Sequence, residues 1–126
     1  MRRILIIDDD YHILIMIKKM LERAGFEVEL ALNGNEGLDL FKRDPVDLVI
    51  CDIIMPEKEG LETIREMKGL CADLKILAMS GGGRVSSENY LNTARAFGAI
   101  RTMGKPFSQK QMVSTVQELL NDAVAC

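Results

Sequence analysis

Short unbroken apolar runs alternate along this chain with segments whose apolar residues recur every three or four positions, and that alternation restricts the fold more than any other feature. Arg3–Ile7 (RILII), Asp47–Cys51 (DLVIC) and Leu74–Met79 (LKILAM) read as strands buried in a sheet, and Ala99–Met103 reads as a further one. Phe26–Leu32 (FEVELAL) alternates imperfectly and predicts a more exposed second strand. Tyr11–Ala24 places Ile13, Leu14, Ile17, Met20 and Leu21 at helical spacing, with Gly25 as its stop. Asn33-Gly34 turns into a second helix over Asn35–Lys42, which Asp44-Pro45 breaks. A third helix is predicted over Leu61–Lys68, with Ile64 and Met67 inward and Gly69 just past its end. A fourth starts at Ser86 or Ser87 and carries Tyr90, Leu91, Ala94 and Phe97 inward until Gly98. Ser108 caps the last, which runs through Leu120 on the apolar face of Met112, Val116, Leu119 and Leu120.

Parallel neighbours need right-handed crossovers of helix length, so five strands alternating with five helices imply an α/β doubly wound parallel sheet with helices on both faces. The flavodoxin-like order 2-1-3-4-5 suits a five-stranded chain of this length better than the longer Rossmann order. At 126 residues, 48% of them hydrophobic, the chain makes one domain over residues 1–126. A net charge of -3 leaves no basic excess for nucleic acid. No apolar run approaches the ~18 residues of a membrane span, and acid follows the N-terminus too soon for a signal peptide, so a cytoplasmic protein is expected. The three cysteines, Cys51, Cys71 and Cys126, lack metal-ligand spacing and read as free thiols.

Chemistry concentrates where the strands end. Asp52 closes the third apolar run, and Pro56 and Gly60 mark the turn that follows. In a parallel α/β sheet, ligands collect at the carboxyl ends of the strands, and in the order 2-1-3-4-5 strands one and three are neighbours at the switch point. Asp8, Asp9 and Asp52 then converge, with Ser80 and Lys105 at the flanks. Three carboxylates in one crevice repel unless a cation compensates, which implies a hard divalent ion such as Mg²⁺, with Mn²⁺ as a substitute. One carboxylate stays free to attack a phosphoryl donor, Lys105 stabilises charge on the transferring oxygens, and a Ser80 hydroxyl can bond the transferred group.

With these parts in view the chain resembles, over nearly its whole length, the receiver domain of the two-component response-regulator family. The carrying residues are IIDDD (Asp8, Asp9), DxxMPxxxG (Asp52, Met55, Pro56, Gly60), the hydroxyl of Ser80 and KPF (Lys105, Pro106, Phe107). The resemblance implies that Asp52 is the phosphoryl acceptor, Asp9 a direct Mg²⁺ ligand, Asp8 a carboxylate acting through water and the Ile54 carbonyl a backbone ligand. It further implies that Lys105 pairs with the acceptor, that the Lys105-Pro106 bond is cis and that Ser80 is the switch hydroxyl. The implied donor is a phosphohistidine on a histidine kinase or a histidine phosphotransfer protein. The implied output is a changed surface on the fourth helix, fifth strand and fifth helix, read by an unidentified downstream protein, with the chain a monomer or weak dimer. Such a domain catalyses its own phosphoryl transfer and slow dephosphorylation without being a conventional enzyme.

The sequence departs from that family's pattern in three places. Thr102 stands where many members carry an aromatic residue, Ser80-Gly81-Gly82-Gly83-Arg84 lengthens the loop after strand four, and Ile54 is aliphatic where others are polar. Thr102 and that loop motivate the alternative of a receiver-like interaction domain that no longer switches. His12 reads as a surface or capping residue, Cys51 as pointing into the core, and the glycines 81–83 as a flexible segment, since no Gly-Lys-Ser/Thr continuation follows. No output domain is expected after the last helix; NDAVAC shows no linker pattern, which leans toward a free-standing protein over an excised piece of a larger regulator.

Overall fold

A computed structural model describes residues 2–53, 60–81 and 87–121, the stretch 87–91 by its backbone alone. Its elements in chain order are β1 (Arg3–Ile7), α1 (Tyr11–Arg23), β2 (Glu27–Ala31), α2 (Gly34–Arg43), β3 (Leu48–Asp52), α3 (Gly60–Leu70), β4 (Ile76–Gly81), α4 (Ser87–Phe97), β5 (Arg101–Lys105) and α5 (Gln109–Leu120). The five strands form one sheet in the order β2-β1-β3-β4-β5, and every pairing is parallel, as the alternation predicts.

Alternation along the strands sends successive side chains to opposite faces, and each face has its own core. Leu5, Ile7, Val49, Cys51, Ile76 and Ala78 pack with Leu38 and Phe41 of α2, Ile64 and Met67 of α3 and Ala94 of α4. Ile4, Ile6, Leu48, Ile50, Leu77 and Met79 pack with Leu14, Ile17 and Leu21 of α1 and Met112, Val116 and Leu119 of α5. β1 and β3 are covered on both faces, which is why their sequences are unbroken apolar runs.

The helix ends follow their local chemistry. Asp10 caps α1 by accepting from the His12 and Ile13 N–H groups, and Gly25 leaves that helix at φ +96, a region that favours glycine. Asn33 caps α2, and Ser108 with Gln111 forms a reciprocal capping box on α5.

Four expectations are corrected. Gly69 lies inside α3 rather than beyond it; no atom stands within 4 Å of where its Cβ would be, so the helix bears only the modest propensity cost of an exposed glycine. β4 and β5 both lie two residues later than the apolar runs suggest. Leu74 and Ala99 are buried while the chain is still approaching the sheet, and Ser80 and Gly81 pair in the ladder with Gly104 and Lys105. Phe97 does not turn inward. It is 36% exposed, with the Arg65 guanidinium 6.0 Å from its ring centre, while the Lys68 stem fills the corner against Gly98. Finally, Cys51 is a buried free thiol as expected, but Cys71 is disulfide-bonded. An odd cysteine count leaves room for one pair, which the spacing argument overlooked. The Tyr90 and Leu91 side chains and Ser86 also fall outside the described residues.

Candidate functional site

The site lies at the carboxyl ends of the central strands. Asp8 follows Ile7 directly, and Asp52 is the last residue of β3, the strand beside β1. Counting by twos from Ile4 and Leu48 places Asp8 and Asp52 on the face covered by α1 and α5, where Met103 also packs two residues before Lys105. Convergence is thus set by strand parity and by the neighbouring positions of β1 and β3.

Asp8 is fully buried and both of its oxygens are engaged. Oδ1 accepts from the Asp10 N–H at 2.9 Å, and Oδ2 accepts from Lys105 Nζ at 2.7 Å. Lys105 stands 3.6 Å from Asp52 Oδ2, so its first partner is Asp8 rather than Asp52. Asp52 is 5% exposed, whereas Asp9 faces solvent. One carboxylate oxygen each from Asp8, Asp9 and Asp52 lie within 4.8 Å of one another. Hard oxygen donors at that spacing suit Mg²⁺, which needs few protein ligands and keeps several waters.

Electrostatics follow from that geometry. Burial pushes the Asp8 carboxyl above its ordinary range, against the opposing pull of Lys105 and the Asp10 N–H. Burial alone would lower Lys105, but its bond to Asp8 and the nearby charge of Asp52 outweigh it and hold the ammonium above its usual value. Burial also pushes the Cys51 thiol far up, with Asp52 and Asp8 adding to the effect. Cys51 donates to the Asp52 carbonyl at 3.3 Å, inside the opposite core from the Asp52 side chain.

Two supports escaped the sequence reading. Asp10 holds Asp8 through its N–H while its carboxylate caps α1, and the signal was an aspartate one residue before helical spacing begins. Gly60 opens α3 directly against β3: its N–H donates to the Ile53 carbonyl at 3.2 Å, and a Cβ there would overlap the Asp52 carbonyl group and the Ile53 Cα. A glycine at the first turn of a helix hinted at such an approach, but only the folded chain shows what it meets.

The remaining candidates are placed as follows. Ser80 is buried on the same strand parity as Ala78, toward α4, and its hydroxyl lies 3.5 Å from the Gly81 carbonyl. By that parity its side chain is directed to the opposite face of the sheet from Asp8 and Asp52, and it does not join the Lys105 bonds. The Ile54 carbonyl, Met55 and Pro56 lie outside the described residues, as do Gly82, Gly83 and Arg84. The Lys105-Pro106 bond is cis, as the resemblance implies. Thr102 accepts from Arg95 of α4 at 3.2 Å. His12 is exposed at the start of α1, in keeping with a surface residue. An apolar cavity of about 470 Å³, lined by Ile13, Met16, Gly81, Lys105, Pro106 and Phe107, opens beside Lys105. Among the described residues no helix is long and apolar enough to cross a membrane.

Comparison with known proteins places this arrangement. Residues 4–117 match the family model described as the response regulator receiver domain. The response regulator MprA of Mycolicibacterium vanbaalenii is 35% identical over 118 residues, covering 94% of this chain and 50% of that protein. The transcriptional regulatory protein CpxR of Escherichia coli is 30% identical over 120 residues, covering 95% of this chain and 50% of that protein. The chain thus spans about half the length of these curated relatives. Among solved structures, a response regulator receiver domain protein of Clostridium thermocellum aligns with a TM-score of 0.88 at 30% identity, over 96% of this chain and 95% of that one. A CheY-like receiver domain protein of Methanospirillum hungatei aligns with a TM-score of 0.88 at 32% identity, over 97% of this chain and 95% of that one. A match over residues 4–117, on a sheet of the same strand order, settles the family: the chain belongs to the response regulator receiver domains of two-component signalling.

Proposed function

We propose that Asp52 is the phosphoacceptor of this receiver domain, taking a phosphoryl group from a phosphohistidine of a histidine kinase or histidine phosphotransfer protein in a Mg²⁺-dependent reaction. One observation carries the reading: a nearly buried carboxylate ends β3 within reach of the Lys105 ammonium and of two further carboxylates. An Asp52 oxygen attacks phosphorus, the phosphorus–nitrogen bond of the donor breaks, and its electron pair returns to the imidazole. Lys105 offsets negative charge on the transferring oxygens, and Ser80, once its hydroxyl leaves Gly81, donates to one of them. Asp8, Asp9, Asp52 and the Ile54 carbonyl would hold the ion, which supplies further neutralisation of phosphoryl charge when bound. The apolar surface beside Lys105 offers the donor protein a dry seat next to the reacting atoms.

Asp52 then returns its phosphoryl group slowly to water, with no polar side chain at position 54 to orient the attack. The switched surface is that of α4, β5 and α5, and its reader is a downstream protein rather than nucleic acid. This reading places the chain, residues 1–126, in the cytoplasm with its kinase, as a single receiver domain that is a monomer or weak dimer. A second reading, a receiver that no longer switches, draws on the bond between Arg95 and Thr102 at the position where an aromatic residue is common.

Acetyl phosphate or beryllofluoride with Mg²⁺ tests both. Intact-mass measurement is expected to show an adduct that Asp52→Asn abolishes; labelling that survives that substitution overturns the assignment. Amide shifts spreading from Asp52 to α4 support switching, and shifts confined to the acidic site favour the second reading.

A further inference from the structure

The three cysteines of the chain are sorted by their surroundings. Cys51 is completely buried in the core as a free thiol. Cys71 is partly exposed and disulfide-bonded. Cys126, the other cysteine of the sequence, lies outside the described residues. Cys71 stands just past α3 and ahead of β4, at the opposite ends of the strands from Asp52. Its N–H donates to the Met67 carbonyl at 2.9 Å, its carbonyl accepts from the Leu74 N–H at 3.2 Å, and Lys68 Nζ donates to the Ala72 and Leu74 carbonyls, so the turn that carries it is well fixed. Lys75, the next residue, donates from Nζ to the Leu119 carbonyl at 2.7 Å and ties that turn to the end of α5. Cys126 follows Asn121, the last residue described, by five positions, and five residues reach at most about 18 Å.

We infer that Cys126 is the partner of Cys71, and that the two form a redox-sensitive clasp joining the end of α5 to the end of α3 around the start of β4. α5 belongs to the layer on one face of the sheet and α3 to the layer on the other, so the bond ties the two layers covalently where Lys75 already ties them by a hydrogen bond. It also closes the chain from residue 71 to residue 126 into a loop, which restricts the unfolded state. Glutathione disulfide is a sufficient oxidant. One cysteine thiolate attacks a glutathione sulfur, the glutathione S–S bond breaks and one glutathione leaves as its thiolate. The second cysteine then attacks the first cysteine's sulfur, releases the other glutathione and completes the bond. Two cysteine thiols are oxidised, glutathione disulfide is reduced to two glutathione thiols, and the two protons pass to them. Cys51, sealed in the core, takes no part. Disulfides of reducing compartments are usually transient and redox-sensing, which suits a bond that joins helix ends rather than core residues.

Thiol counting on the full chain tests the pairing. The reduced chain, treated with excess glutathione disulfide and then with N-ethylmaleimide in denaturant, is expected to gain one maleimide by intact mass, where the fully reduced chain gains three. Trypsin digestion without reductant should release one species that joins Gly69–Lys75 to Gln111–Cys126. The oxidised chain should melt about 5 °C or more above the reduced chain, a gap that Cys126→Ser and Cys71→Ser each abolish. Circular dichroism checks folding, and Cys126→Ser alone decides the matter if Cys71→Ser does not fold. Three maleimides after oxidation, a linkage through Cys51 or a disulfide-linked dimer overturns the pairing. Equal melting midpoints for the oxidised and reduced chains overturn the clasp.

Discussion

The two ends of the sheet handle charge in opposite ways. At the amino end several charged groups have local compensation. Lys68 donates to the carbonyls of Ala72 and Leu74, Lys75 donates to the Leu119 carbonyl at the end of α5, and Arg3 spans Glu27 and Glu29. At the carboxyl end Asp8 and Asp52 are buried, Asp9 lies beside them, and among the described residues the Lys105 ammonium pairs with Asp8 and Asp52. A balanced end holds elements together. An unbalanced one stores a demand for positive charge that a ligand can meet, and that difference separates scaffold from site without reference to any relative.

Substitutions at the two ends should differ in size and in sign. Gly60→Val forces a side chain into the backbone of Asp52 and Ile53 and should cost about 3 kcal/mol in urea denaturation, the largest effect expected. A small effect there would mean that α3 is not pressed against β3. Lys75→Met removes a charged donor from a helix-end carbonyl at the amino end and should cost about 1–2 kcal/mol without altering phosphorylation by acetyl phosphate.

Asp8→Asn should act in the opposite direction, raising the thermal midpoint in metal-free buffer at pH 8. The sign comes from linkage. The Asp8 carboxyl is held above its unfolded value of 3.8, so in the window just above that value the folded chain keeps a proton the unfolded chain has lost. Stability falls as pH rises through the window, and the asparagine variant should lack that slope in a pH series of melts. Lys105 is held above 10.5, so its contribution is present below that pH and is lost as pH rises through the folded value. The smallest effect is expected for Arg101→Ala, which breaks an ion pair to Glu118 whose side chains are 38% and 61% exposed; it should change stability by no more than about 0.5 kcal/mol.

Strand existence, helix faces and the meeting of Asp8, Asp9 and Asp52 were legible because each depends on periodicity or on which strand ends share one edge. Arg3–Ile7 is bounded by charge at one end and acid at the other, and its limits read directly. The later placement of β4 and β5 did not, because Ser80, Gly81, Gly104 and Lys105 join the ladder through backbone groups that carry no apolar signature. Phe97 also departs from its spacing: an aromatic residue at helical spacing signals the core only if space remains, and here the ring stays at the surface beside Arg65. The preference of Lys105 for Asp8 over Asp52 is a matter of less than an ångström among side chains from three strand ends, and no spacing rule reaches that scale.

Asp10 offers a practical handle. Its amide proton is committed to Asp8 Oδ1, while its carboxylate secures the first turn of α1. Anything that changes the state of Asp8 must therefore alter the resonance and the deuterium uptake of one identifiable amide. Nuclear magnetic resonance of the isotope-labelled chain can watch that amide during a titration, a vantage point on the buried acid that requires no substitution and no turnover.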